Sequence, residues 1–238
     1  MSQPPPLAVD GLSRSYGELE ALAGLDLQIR AGECVALIGH NGSGKTTAVR
    51  LIGGLLTPSA GVVEVCGSSM HDESQSLSAR AALSLVPDSP MLYSDLTVRE
   101  HLELVVVAHG VQAEALDQRI DSMLERLEVE ARRDSFPGQL SRGMRQKLQL
   151  ACALIRPYAV LVLDEPVVGL DPSTQDVLRD LLIEAKHDGA AILLTTHQLA
   201  FARGVADRAL LLADGAVIQQ GPYDEVVASE HAHKRDLH

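Results

Sequence analysis

Gly39-His40-Asn41-Gly42-Ser43-Gly44-Lys45-Thr46 fits G-x-x-x-x-G-K-[ST], the pattern of a phosphate-binding P-loop. Each residue type has a chemical reason. A polyphosphate is wrapped by main-chain N–H groups, and glycine lets the chain bend that tightly without a Cβ clash. Lys45 supplies a point charge for the β- and γ-phosphates, and the Thr46 hydroxyl suits Mg²⁺. The flanks agree. Cys34-Val35-Ala36-Leu37-Ile38 is a short apolar run of the kind a buried parallel strand needs. Thr47 to Leu55 carries apolar residues at Val49, Leu51, Ile52 and Leu55, which predicts a helix. The N-terminus of that helix would add partial positive charge to the phosphate site. A glycine-rich turn without a ligand would not need the whole pattern set between a strand and a helix.

A second apolar run, Val160-Leu161-Val162-Leu163, ends in Asp164-Glu165. It predicts a central parallel strand with two carboxylates at its carboxyl end, where open α/β sheets bind ligands. Asp164 there can hold Mg²⁺, and Glu165 can take a proton from an attacking water. Ala190 to Thr196 predicts a further strand, which delivers His197 to the same edge. A histidine after a strand is often structural; its place beside the carboxylates favours a functional role.

Composition bounds the rest. A chain of 238 residues, 46% hydrophobic, is globular and long enough for one large domain, or a domain with a small subdomain. The net charge of −12, with no basic block before the last few residues, disfavours a nucleic-acid partner. No apolar run approaches the ~20 residues of a membrane span, and no charged-then-apolar leader opens the sequence. Leu104 to Ala108 stops at His109. Cys34, Cys66 and Cys152 are far apart and odd in number, which predicts reduced thiols packed in the core, with neither disulfides nor a zinc site.

Along the chain, Leu7 to Leu12 and Leu22 to Ile29 read as strands, with Tyr16 in the loop between them. Tyr16 is either a base-stacking platform or a half-buried tyrosine. Gly61 to Gly67 and Ala82 to Val86 read as strands, with a polar loop and short helix across His71 to Arg80. From Pro90 to Pro157 the pattern turns helical, over Val98–Ala108, Ala113–Leu127 and Gly143–Ile155. Asp117, Asp121 and Glu125, alternating with arginines, read as a solvated helix face. Val177 to Ala185 predicts a helix, and Asp214-Gly215 a hairpin between Ala209–Ala213 and Ala216–Gln220. A helix over Asp224 to Ala228 closes the domain, and the histidines 231, 233 and 238 fall in a polar tail.

Taken in order, these motifs resemble the ATP-binding subunit of ABC (ATP-binding cassette) transporters over nearly the full length. Gly39 to Thr46 looks like Walker A, Leu140-Ser141-Arg142-Gly143-Met144 like the signature, Leu161 to Asp164 like Walker B, Gly169-Leu170-Asp171 like the D-loop and His197 like the switch histidine. The P-loop alone is shared by many NTPases; this whole series is specific. Two positions depart from the family's pattern. Arg142 and Met144 replace the first glycine and the glutamine of L-S-G-G-Q, and Asp88, in Val86-Pro87-Asp88, stands where the family has its Q-loop glutamine.

The resemblance implies an α/β fold: a P-loop NTPase, RecA-like core with a mostly parallel central sheet, an N-terminal antiparallel β subdomain and an inserted α-helical subdomain. The division expected is 7–89 and 158–228 for the core, 90–157 for the helical insertion, and flexible tails at 1–6 and 229–238. It implies ATP and Mg²⁺ as ligands. Gly39, His40, Asn41, Gly42, Ser43, Gly44, Lys45, Thr46 and Thr47 would hold the phosphates, Tyr16 would stack on adenine, and Thr46, Asp164 and Asp88 would serve the metal. Glu165, His197 and Lys45 would carry catalysis. Ser141, Gly143 and Met144 would reach the γ-phosphate of a second cassette, because family members share each ATP between one copy's P-loop and the other's signature. A chain without an internal repeat holds two half-sites, so it needs a second cassette, most simply its own copy. With no membrane span of its own it also needs a separate permease subunit, placing it at the cytoplasmic face of the cell membrane. The S-x-G-M-R-Q form resembles bacterial exporters, as does the lack of an added C-terminal regulatory domain. A soluble ABC ATPase acting on DNA or ribosomes is the alternative. It would bring coiled-coil insertions, paired cassettes or basic patches. A degenerate, regulatory cassette is disfavoured by the retained Glu165 and His197.

Overall fold

The computed structural model describes residues 4–110 and 116–236, with side chains to Glu230 in the last helix. The start of the helix expected from Ala113 falls outside the described residues, as do the side chains of the tail histidines. The elements in order are β1 (Leu7–Tyr16), β2 (Leu19–Ile29), β3 (Cys34–Ile38), α1 (Lys45–Ile52), β4 (Ala60–Val65), β5 (Ser68–Ser69), α2 (Ser76–Ala82) and β6 (Leu83–Val86). They continue with α3 (Val98–Ala108), α4 (Leu116–Arg126), α5 (Arg142–Leu154), β7 (Val160–Asp164) and α6 (Pro172–His187). Last come β8 (Ala191–Thr195), α7 (Leu199–Ala202), β9 (Arg208–Ala213), β10 (Ala216–Pro222) and α8 (Tyr223–Asp236).

The chain divides into two compact units: residues through Leu85 with Tyr158–Glu165 and Leu182 onward, and Val86–Pro157 with Pro166–Leu181. The first unit holds a six-stranded sheet in the order β10-β9-β3-β8-β7-β6. β3 runs parallel to β8 and β9, and β7 parallel to β8. Every residue of β3, β7 and β8 is buried, so these strands are continuous apolar runs rather than alternating ones. A four-stranded antiparallel sheet, β2-β1-β4-β5, shows the alternation of a half-buried sheet, Leu7 and Val9 inward with Asp10 outward. One buried cluster joins the two sheets through α1. It includes Leu7, Leu25, Leu37, Leu51, Val162 and Leu193. Each such side chain contributes roughly 1.5–3 kcal/mol by leaving water.

In the second unit, α3 begins with a capping box, Thr97 and Glu100. Ser141 caps α5 by accepting from the Met144 N–H at 3.2 Å.

Several elements differ from expectation. Tyr16 lies on β1 paired with Leu19, because the first hairpin extends to a tight turn at Gly17-Glu18. α1 stops at Ile52 rather than reaching Leu55; Gly54 turns left-handed at φ 70, and Leu55 is exposed. α6 begins five residues earlier than expected, at Pro172, a residue suited to the first helical turn. α8 continues past Ala228 to Asp236, since no glycine or proline interrupts it. Cys66 is exposed, not a core residue. The acidic face of α4 is more than solvated: Arg99 of α3, its side chain 21% exposed, pairs with both Asp117 and Asp121 and so joins the two helices.

Candidate nucleotide site

Three neighbouring strands end level with one another. Leu37 of β3 pairs with Thr195 of β8, and Thr195 with Asp164 of β7. One residue beyond each lie the segments that the sequence singles out: Ile38-Gly39, Thr196-His197 and Glu165. Adjacent strands sit ~4.8 Å apart, so a parallel register delivers the P-loop, the histidine and the carboxylates to one edge.

The loop's glycines are dictated by space as well as by bending. A Cβ on Gly39, at φ 153, would stand 2.3 Å from the carbonyl oxygen of Leu212; one on Gly44, at φ 105, would stand 2.7 Å from that of Ala21. β2 and β9 therefore brace the loop from outside. The Gly215 N–H adds a hydrogen bond to the Ser43 carbonyl at 3.0 Å. α1 starts without a side-chain cap, leaving its first N–H groups directed at the loop. Lys45 is buried and donates to the carbonyls of Gly39 at 2.8 Å and His40 at 2.9 Å. The Ser43 hydroxyl is fully buried with no hydrogen-bond partner. A buried hydroxyl left unpaired costs roughly 1–3 kcal/mol, and a phosphate oxygen in the loop would satisfy it. A cavity of about 250 Å³ borders the loop, lined by Gly39, His40, Asn41, Thr196 and His197 among others.

Asp164 is 1% exposed and accepts from the Thr195 hydroxyl at 2.5 Å. Glu165 has φ 50, a left-handed conformation that costs a non-glycine residue on the order of 1–3 kcal/mol. Its N–H is shared by the Thr195 carbonyl at 3.1 Å and hydroxyl at 3.0 Å, which hold it there. The carboxylate meets His197 twice, at the main-chain N–H (3.2 Å) and at Nδ1 (2.7 Å). An Nδ1–H donated to Glu165 fixes the tautomer and leaves Nε2 to accept.

Tyr16 is 47% exposed, and the Arg14 guanidinium covers one face of its ring at 4.6 Å from the centroid. The strand carrying the hairpin back, β2, passes Gly44 at Ala21, which brings Tyr16's hairpin to the loop. Ser141, Gly143 and Met144 lie in the second unit at the start of α5, and exposed Asp88 lies near that unit's beginning.

Sequence reasoning missed Thr195, the residue that touches both Asp164 and Glu165. Its only signal is a hydroxyl at the end of an apolar strand; its role depends on strand register. It also missed Asp214, whose Oδ1 lies 3.8 Å from the His40 ring.

The family described as ABC transporter matches residues 22–168. The ABC-type transporter ATP-binding protein EcsA of Bacillus subtilis (strain 168) is 34% identical over 92% of this chain and 88% of its own length. A Nod factor export ATP-binding protein I from Ralstonia nicotianae is 35% identical over 95% of this chain and 70% of its own. A solved dimeric structure of a bacterial ABC transporter cassette superposes with a TM-score of 0.83 at 27% identity, over 91% of this chain and 98% of that one. The chain belongs to the ABC transporter family. It is an ATP-binding, ATP-hydrolysing subunit on a P-loop NTPase fold. ATP-binding subunits of this family pair with membrane permeases. Among the described residues no helix is long and apolar enough to cross a membrane.

Proposed function

We propose that the chain is the energy-coupling subunit of an exporter, working as two copies docked on a separate transmembrane permease at the cytoplasmic face of the cell membrane. The observation that carries this reading is the Glu165–His197 contact, set one residue beyond buried Asp164 on the sheet edge that bears the P-loop. It is the equipment of a cassette that turns ATP over rather than one that only binds it. The Nod factor relative supports export, and the dimeric structural neighbour supports pairing of copies.

In this reading Glu165 is the general base for the attacking water, and His197 holds its carboxylate in place. Lys45 leaves its loop carbonyls for the β- and γ-phosphates, the P-loop N–H groups and the Thr47 turn wrap them, and Tyr16 stacks on adenine. Ser141, Gly143 and Met144 close the site of the second copy. Among the described residues no cluster of three acidic, histidine or cysteine side chains is assembled for a metal. Mg²⁺ does not need one, because it keeps waters and takes phosphate oxygens beside one or two protein oxygens. The hard-oxygen donors Thr46 and Asp164 fit it, and Asp88 offers the same donor chemistry. The ion would neutralise charge on the phosphates. The Q-loop region and the helical subdomain read over 90–157 would meet the permease around Asp88 to His101.

Affinity purification from detergent-solubilised membranes tests this. A polytopic membrane protein recovered in near-equal amount supports the transporter role. Recovery only from the soluble fraction, with ribosomal or DNA-associated proteins, contradicts it.

A further inference from the structure

One face of α5 is committed to the stretch that follows Glu165 in sequence. Gly143, Gln146 and Lys147 are spaced i, i+3, i+4, so they share that face. A Cβ on Gly143 would stand 2.7 Å from the Gly169 carbonyl oxygen. The buried Gln146 amide donates to the Pro166 carbonyl at 3.1 Å. Lys147, its side chain 9% exposed, places Nζ 3.6 Å from Asp171 Oδ2 and 3.3 Å from Glu128 Oε2. A lysine withdrawn this far from water needs anionic partners, and these two carboxylates supply them.

Asp171 has a separate structural task. It caps the start of α6 by accepting from the Thr174 N–H at 2.9 Å and the Ser173 hydroxyl at 2.6 Å. Those bonds, the Ser173 hydroxyl first, hold its carboxyl well below the usual range, with Lys147 a smaller contributor. The cap therefore survives without Lys147. The ionic link from α5 to this loop does not.

We propose that Lys147 is a positioning residue: it ties α5 to the capped Asp171 and so holds Ser141–Met144, at the start of α5, in place to meet a second copy's nucleotide site. The proposal rests on the reading of two half-sites per chain. Lys147 touches neither substrate nor reacting atoms and acts through Asp171.

The test uses the full chain carrying Glu165→Gln, so that bound ATP is not consumed. Self-association is measured by sedimentation velocity with ATP and Mg²⁺. Adding Lys147→Met, which keeps the length of the stem, should weaken association by about tenfold, and Lys147→Arg should restore it. Asp171→Asn, which retains a cap acceptor, should reproduce the loss. For Lys147→Met, affinity for a fluorescent ATP analogue and the Tm should stay in place. Association equal to the parent's, or a parallel fall in nucleotide affinity or Tm, overturns the proposal. A parent that stays monomeric with ATP fails at an earlier step: it refutes the two-half-site reading, and this proposal with it.

Discussion

Glu165 holds His197 with both carboxylate oxygens, Oε1 at 2.7 Å from the ring Nδ1 and Oε2 at 3.2 Å from the main-chain nitrogen. A carboxylate anchored twice to one neighbour has a fixed orientation, and its left-handed backbone is held by Thr195 beneath it. Positioned proton acceptors contribute about 10²–10⁴-fold to rate. Glu165→Gln should lose turnover on that scale while retaining ATP affinity, as read by steady-state hydrolysis and analogue binding. Hydrolysis at the parent rate would remove Glu165 from the role of base.

Thr195→Val keeps the β-branched shape of a buried strand residue and removes the hydroxyl between Asp164 and Glu165. It should destabilise the chain by roughly 1.5–3 kcal/mol, the range for a hydrogen bond to a charged group. The check is a lower urea midpoint at unchanged m. Turnover should fall with it, since the Asp164 carboxylate and the Glu165 main-chain N–H lose their shared partner.

Lys45→Ala should weaken nucleotide binding and leave the fold intact; unchanged ATP affinity would count against the P-loop assignment. Gly39→Ala should act differently. Its Cβ has no room against the Leu212 carbonyl, so the loop itself is displaced and stability falls along with binding.

The thiols should separate by reactivity. Burial pushes the Cys34 thiol up to about 12, and Cys66 is exposed in the turn after β4. The thiolate is the reactive form, so at pH 8 Cys34 stays protonated and shielded. Peptide mapping after brief alkylation should find Cys66 modified first and Cys34 only after denaturation. Prompt labelling of Cys34 in the native chain would contradict the buried β3.

Much of this was legible before the fold. The apolar runs at Cys34–Ile38, Val160–Leu163 and Ala191–Thr195 are strands because parallel strands buried on both faces have no alternation to hide. The Gly39–Thr46 pattern and Asp164-Glu165 stand out in the sequence because phosphate and metal chemistry would call for particular residues at fixed spacing. What stayed hidden depends on partners distant in sequence. Thr195 matters because register sets it beside Asp164. Tyr16 lies on a strand because β1 runs on to it well past Leu12, where the apolar pattern ends. Lys147 carries no mark of its role in the sequence; its place between Glu128 and Asp171 comes from packing.

ATP hydrolysis by the purified chain, followed against chain concentration, tests the central claim most directly. If each site is built from one copy's P-loop and another's signature, specific activity rises with concentration and saturates as pairs form. Specific activity that is constant across dilution, from a chain that sediments as a monomer with ATP and Mg²⁺, would show that one copy holds a complete site and would contradict the account.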